Sequence, residues 1–358
     1  MAYRSPLTEK AARLDAEGDI EKALMALAKA AGEGDLQART QLGKRMLLGD
    51  RAPRMLKDGA AHILMAAQEA HPEAVAAMAI LQCLGIQQRK NWQDALNTLT
   101  YAATLGWQQA RQALLLLSHE PVLGEEQELL AIEEVAFWQQ LGSNIDINRW
   151  LKIPQGKVLS DSPLLVSFED FVPDRWRNLL ANGAIPRLQR AHHADPAMLR
   201  TPNAETSNYW LSPIGLAEND FLHLLLQERM SKACGIAQTQ MEGLAVLMYQ
   251  EGDEFSEHVD YFDQESALGK AEVSELGQRI LTFMVYLNDD YEGGETVFPE
   301  LGITHKGKAG EGIYFVTARD SGEGDPRTRH AGLPVGSGNK WVLSQYFRSK
   351  PLGFLVDQ

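Results

Sequence analysis

Along the first third of the chain the apolar positions recur with a period much longer than a helical turn. Ala30-Ala31, Ala66-Ala67 and Ala102-Ala103 stand 36 residues apart. The same interval joins Ala38 to Ala74 and Ala110, Leu27 to Ile63 and Leu99, Leu42 to Met78 and Leu114, and Gly49 to Gly85. Small residues recur where paired helices approach closely, and larger apolar ones recur where they fill the space between. One helical hairpin cannot bury its apolar side alone, so stacked hairpins in a short α-solenoid are the economical solution. A generic alanine-rich bundle would not need several registers at one period.

The pattern then changes. Residues 125–142 have helical apolar spacing at Leu129, Leu130, Ile132, Val135, Ala136 and Leu141, which predicts a cap on the solenoid. PLLVSFEDFV predicts a strand leading into a helix around DRWRNLLANG. From residue 243 short apolar runs alternate with glycine and acidic turns: GLAVLMYQEGD, FSEHVDYF, RILTFMVYLNDDYEGG, GEGIYFVTARD and KWVLSQYFRS. These are strand signals with hairpin-like punctuation, pointing to an antiparallel sandwich or barrel rather than a βαβ nucleotide fold. Gly293-Gly294 and GSGNK read as turns, not phosphate loops. The expected organisation is a helical repeat over 1–116, a helical cap and linker over 117–160, and a second domain over 161–358.

Charge sharpens that division. The 358 residues carry a formal net charge of -14, but residues 1–115 hold 14 Lys+Arg against 12 Asp+Glu, and the rest 20 against 36. An acidic second domain repels nucleic-acid phosphate, so no nucleic-acid partner is expected. Two cysteines, Cys83 and Cys234, are too few for a disulfide-built fold and suit a reducing compartment. The first residues lack an apolar stretch of signal-peptide length, and no window approaches a membrane span, so the expected location is cytoplasmic.

Candidate chemistry begins with His258-Val259-Asp260. Residues i and i+2 face one side of a strand, so imidazole and carboxylate can converge on one metal while Val259 packs behind. A histidine from another strand would complete a two-histidine, one-carboxylate triad that leaves positions open on octahedral Fe(II). Alone, H-x-D is weak. Around it, however, stand Tyr249-x-x-Gly252-x-x-Phe255, then Arg279-x-x-Thr282-x-x-x-Tyr286-Leu287-Asn288, and Gly293-Gly294-Glu295-Thr296-x-Phe298. His330-Ala331-Gly332-Leu333-Pro334-Val335 and Lys340-Trp341 follow. In this order, over roughly residues 164–350, the chain resembles the prolyl 4-hydroxylase-like branch of the 2-oxoglutarate- and Fe(II)-dependent dioxygenases. The repeat, with Gly34–Ala38 and Leu42-Gly43, resembles the Sel-like branch of tetratricopeptide-like repeats over about residues 10–116. It departs where His71-Pro72 replaces the usual turn and Ala79 the usual glycine.

The oxygenase resemblance implies an α+β multidomain chain whose C-terminal part is a double-stranded β-helix, or jelly roll, flanked by helices. It implies His330 as the distal iron ligand beside His258 and Asp260, with 2-oxoglutarate and O2 as cosubstrates and ascorbate as a candidate reductant. Lys340 is expected on the distal carboxylate of 2-oxoglutarate, with Tyr249 and Tyr286 as phenolic donors and Thr282 and Thr296 as pocket wall. A dianion entering an acidic domain needs such a local cation and oriented donors. Arg279, Arg200, Tyr209 and Trp210 are candidate substrate contacts, and the polar segments 200–210 and 263–275 are candidate loops over the mouth. Phe255 departs from the tyrosine of many relatives. Asp260 argues against halogenation, because related halogenating sites replace this carboxylate.

The resemblance implies hydroxylation of an unactivated C–H, with a prolyl residue of a protein or peptide the leading target and the repeats a means of recruiting it. Two alternatives stay open: a free amino acid or small metabolite as substrate, and a repeat-based interaction protein with an inactive or regulatory oxygenase half. Sequence leaves the oligomeric state open.

Overall fold

A computed structural model of the chain describes residues 6–119, 126–191, 208–215, 220–319 and 321–352. It forms two compact units: one runs to Leu151 and takes in the segment ending at Leu226, and the other begins at Lys152 and resumes at Gln227.

The first unit realises the 36-residue interval to the residue. After α1 (Pro6–Ala16), α2 (Ile20–Gly32), α4 (Leu56–Gln68) and α6 (Trp92–Thr104) start 36 residues apart, as do α3 (Leu36–Leu48), α5 (Pro72–Leu84) and α7 (Gln108–Leu117). The recurring Leu27, Ile63 and Leu99 are buried, as are Ala38, Ala74 and Ala110. Gly49 and Gly85 both end a helix in the left-handed conformation at φ 72°, where glycine carries no Cβ penalty. Asp19, Asp35 and Asn91 cap α2, α3 and α6 with side-chain oxygens on backbone N–H groups. His71, which replaces a capping residue, instead places Nδ1 3.0 Å from Thr40 Oγ1 of the preceding hairpin. A Cβ on Gly43 would lie 2.9 Å from the Gly59 carbonyl oxygen, so α3 and α4 touch backbone to backbone.

The helix expected over 125–142 is two: α8 (Glu126–Leu130) and α9 (Val135–Ser143). The break leaves carbonyls that other side chains take up. Arg111 donates to Leu130 O at 2.7 Å, and the buried Trp138 indole donates to Ile132 O at 2.8 Å. These bonds satisfy groups a continuous helix would have paired internally. A short α10 (Ile147–Trp150) follows, capped by Asp146.

The second unit opens with β1 (Lys157–Asp161) and β2 (Leu164–Phe168), then α11 (Asp174–Ala184), the strand-then-helix order expected of this stretch. Next come β3 (Gln189–Arg190), β4 (Trp210–Ile214), α12 (Phe221–Cys234), β5 (Leu244–Tyr249) and β6 (Phe255–His258). Then follow α13 (Ala267–Leu276), β7 (Arg279–Tyr286), β8 (Glu292–Gly293), β9 (Thr296–Phe298) and β10 (Ile303–His305). The chain closes with β11 (Gly312–Val316), β12 (His330–Gly332), β13 (Val335–Ser337) and β14 (Lys340–Arg348). Segment 263–275, expected as a loop, is largely helix because Ser266 accepts from Gly269 N and nucleates α13.

The strands do not build the expected jelly roll. One sheet has eight strands in the order β1-β2-β11-β7-β14-β5-β4-β3, a second has four in the order β10-β9-β12-β6, and β13 pairs β8. Pairing is antiparallel among the described residues, and no ladder joins the ends of a sheet to close or curl it into a barrel. The physical reason is strand length. The second sheet's members span only three or four residues, too few hydrogen bonds to carry a ladder round to the large sheet, and a barrel needs every edge paired. Among the described residues no helix is long and apolar enough to cross a membrane.

The α3–α4 contact generates a stability prediction. Gly43→Leu should lower unfolding free energy by about 2 kcal/mol or more through overpacking. Gly32→Ala, with nothing within 4 Å of the added carbon, should gain up to about 1 kcal/mol. Urea unfolding followed by helical circular dichroism checks both.

Candidate metal centre and anion pocket

β12 lies antiparallel to β6 with His330 directly opposite His258. Cross-strand partners in an antiparallel pair share a face, so the register alone brings the two imidazoles to a centroid separation of 4.3 Å. Asp260 follows in the bend just beyond β6. The convergence inferred from strand alternation is therefore completed by a turn. His258 Nε2 lies 3.5 Å from Asp260 Oδ1, and His330 Nε2 lies 3.6 Å from Oδ2. Ligand atoms of all three fall within 4.8 Å of one another, and all three residues are buried.

The groups behind them fix their chemistry. Each histidine Nδ1 faces a carbonyl two residues upstream, Ser256 O at 2.8 Å and Thr328 O at 2.9 Å. A carbonyl only accepts, so each Nδ1 carries a proton, and each Nε2 is the nitrogen turned toward Asp260. Thr282 donates to Asp260 Oδ2 at 2.7 Å, while the buried Oδ1 has no hydrogen-bond partner. Burial disfavours charge on Asp260, but His330, His258 and the Thr282 bond outweigh it and hold the carboxyl well below its usual range. Burial, reinforced by His258, pushes His330 down to about 4, keeping its imidazole neutral near neutral pH. Two imidazoles held from behind by carbonyls, and a carboxylate with an unpartnered oxygen, fit a divalent iron.

Lys340 begins β14, opposite Tyr249 of β5. It is 4% exposed, its Nζ donates to Gly294 O at 2.7 Å, and it lies 5.2 and 5.7 Å from the ring centroids of Tyr249 and Tyr286. Gly294 has φ 66°, and a Cβ there would come within 3.3 Å of Lys340 Cδ and of neighbouring side chains. Among the described residues Lys340 forms no ion pair, so a buried ammonium retains donors for an incoming anion. Burial pushes it down to about 8, with Glu295 opposing the shift.

Both groups open on one cavity, walled by β5, β7 and β14 of the large sheet and β6, β9 and β12 of the small one. Along β14 alternation puts Lys340, Val342, Ser344 and Tyr346 on its wall, with the triad alongside.

A profile of the 2OG-Fe(II) oxygenase superfamily matches residues 244–348, the span that holds the triad and Lys340. Prolyl 4-hydroxylase subunit alpha-1 of Homo sapiens is 32% identical over 53% of this chain and 35% of its own length. Prolyl 4-hydroxylase subunit alpha-2 of Gallus gallus is 33% identical over 54% and 36%. This chain carries a 2OG/Fe(II) oxygenase domain resembling prolyl 4-hydroxylases. It spans about a third of the length of those relatives. A solved viral collagen prolyl hydroxylase from Paramecium Bursaria Chlorella virus-1, in a 2OG complex, is 26% identical at a TM-score of 0.40, covering 52% of this chain and 96% of that one.

Within the oxygenase domain Tyr249, Thr282 and Thr296 line the cavity. Tyr286 does not: it is fully buried, and its hydroxyl lies 2.9 Å from Thr296 Oγ1. Arg279 also stands outside the cavity wall, 1% exposed, donating through Nε and Nη2 to Glu242 at 2.8 and 2.9 Å. Tyr209 is buried against Tyr249 and Phe255. Trp210 is partly exposed in β4, bonded to Gln250, with Arg190 over its ring. Arg200 lies outside the described residues. Phe255 stacks on His258 at 3.7 Å between centroids, so the ring itself supports the imidazole. Sequence reasoning missed Met284, Ser344 and Tyr346 in the wall. The alternation starting at Lys340 was the available signal for the two on β14.

The buried lysine makes stability pH-dependent. The unfolded chain keeps this proton to about 10.5 and the folded chain only to about 8, so the unfolded state binds more protons between these values and stability rises with pH across that window. At pH 7 the full cost of a buried ammonium is present. Lys340→Met should therefore stabilise the cosubstrate-free protein by on the order of 1–3 kcal/mol at pH 7, while flattening the rise above pH 8 in urea titrations.

Proposed function

We propose that the chain is an Fe(II)- and 2-oxoglutarate-dependent dioxygenase that hydroxylates a prolyl residue of a protein or peptide. The observation that carries this reading is one cavity whose wall holds an Asp260 carboxylate beside two histidines and, separately, the Lys340 ammonium, which has no ion pair among the described residues. His258 and His330 would hold iron through Nε2, and Asp260 through the unpartnered Oδ1. Bound iron supplies the redox chemistry by which 2-oxoglutarate, O2 and a C–H give succinate, carbon dioxide and C–OH.

The protein's own part is positional. Carbonyls behind each histidine orient the rings, and Thr282 holds Asp260 by Oδ2, which would leave Oδ1 for a metal. Lys340 neutralises the far carboxylate of the cosubstrate, with Tyr249 and Thr296 at the same end of the wall. The proline target rests on the names of the prolyl 4-hydroxylase relatives. A cytoplasmic location suits the two free cysteines, and ascorbate is the reductant to try in assays.

We assign recruitment of a protein substrate to the repeat. Met65 and Tyr101 occupy one repeat position 36 residues apart, and they are 49% and 47% exposed. Apolar side chains left outward at a recurring position suit a partner surface.

Two outcomes follow. Purified with Fe(II) under anaerobic conditions and then given O2, 2-oxoglutarate and proline-containing peptides, the protein should form succinate and add one oxygen to proline. His258→Ala or Asp260→Ala should lower that turnover by about a hundredfold or more. Turnover of free proline but of no peptide would replace the target with a small metabolite, and failure of the wild type to bind Fe(II) and 2-oxoglutarate would remove the enzyme reading. Met65→Asp with Tyr101→Asp should slow hydroxylation of an intact protein substrate by about tenfold and leave short peptides unaffected. Equal rates on the intact substrate would end the recruitment role.

A further inference from the structure

The buried Tyr286 does not reach the cavity, yet it touches both groups placed at the anion end. Its hydroxyl is 2.9 Å from Thr296 Oγ1, and its ring centroid is 5.7 Å from Lys340 Nζ. Thr296 and Lys340 both line the cavity. A threonine hydroxyl rotates freely unless a neighbour fixes it, and Tyr286 is placed to do so.

Tyr286 is itself held by the segment from His305 to Glu311. Its N–H donates to Glu311 O at 2.9 Å, and its carbonyl accepts from Gly310 N at 2.7 Å. Gly307 lies flat on the ring: a Cβ there would fall 1.9 to 2.3 Å from Cδ2, Cε2 and Cγ of Tyr286. No side chain fits without moving the ring. His305 pairs across the strands with Thr296, and its Nε2 lies 3.2 Å from Glu311 Oε1. Glu311 Oε2 in turn accepts from Lys308 N at 2.9 Å. The loop is thus tied across its base and packs the bare backbone of Gly307 against the phenol.

We propose that Tyr286 is a positioning residue for the cosubstrate's distal carboxylate, acting through Thr296 and Lys340, and that Gly307 is the residue that seats it. This rests on the dioxygenase reading above. Sequence resemblance put Tyr286 in direct contact with 2-oxoglutarate; the geometry places it one group further back.

The test measures affinity rather than turnover. Full-length protein loaded with Mn(II) under anaerobic conditions is titrated with 2-oxoglutarate by calorimetry, and Mn(II) affinity is measured separately. Tyr286→Phe keeps the ring and removes the hydroxyl. It should weaken 2-oxoglutarate binding by about 3- to 10-fold with Mn(II) affinity unchanged. In a Thr296→Ala background the same substitution should add nothing, because its effect passes through that hydroxyl. Gly307→Ala should weaken 2-oxoglutarate binding by about tenfold or more, again sparing Mn(II). Independent, multiplying effects of Tyr286→Phe and Thr296→Ala would overturn the inference, as would a fall in Mn(II) affinity matching the fall for 2-oxoglutarate. A wild type that binds Mn(II) but no 2-oxoglutarate would overturn the dioxygenase reading and the inference together, an outcome distinct from either of the others.

Discussion

Burying two opposite charges in one cavity without letting them neutralise one another is the constraint around which the second unit is organised. An ionised carboxylate and an ammonium in a protein interior each carry a desolvation cost of several kcal/mol, and direct pairing is the usual relief. Here Asp260 is tied to Thr282 and the histidines, Lys340 to the Gly294 carbonyl, and the two stand apart in the same wall. The unspent capacity on each side, one carboxylate oxygen and the remaining ammonium donors, is what a metal and a dianion would use.

Holding such groups apart requires rigid backing, and the two open sheets provide it. β14 pairs β5 from Lys340 to Ser344 and β7 from Val342 to Arg348, so Lys340 stands at the end of a strand held along its length by a neighbour on one side or both. The small sheet contributes His258, His330 and Thr296 from three short adjacent strands. Short strands are sufficient there because each needs to place only one side chain. The arginine pair Arg279 and Arg348, both on Glu242, serves the far end of the same framework, where buried cations are answered by a carboxylate in contact.

The helical unit solves a different problem by repetition. Its hairpins bury the same recurring leucine, isoleucine and alanine positions, and where two backbones meet closest the sequence supplies Gly43 against Gly59. One repeat later the same positions are Ala79 and Ala95, both fully buried, so that the small-residue requirement persists with one methyl group of slack.

The sequence by itself determined the repeat period and the strands of the second unit, through local periodicity, and its family resemblance singled out His258, Asp260, His330 and Lys340 as candidate metal and anion groups. Tertiary structure alone decided the rest. That His330 faces His258 is a matter of register between residues 72 apart in the chain, which no local pattern encodes. That Tyr286 serves Thr296, that Arg279 serves Glu242, and that the sheets remain open instead of rolling up depend on which groups meet across the fold. A residue's type and period fix what it can do and which way it points along its own element; what it does is fixed by the partner packing brings to it.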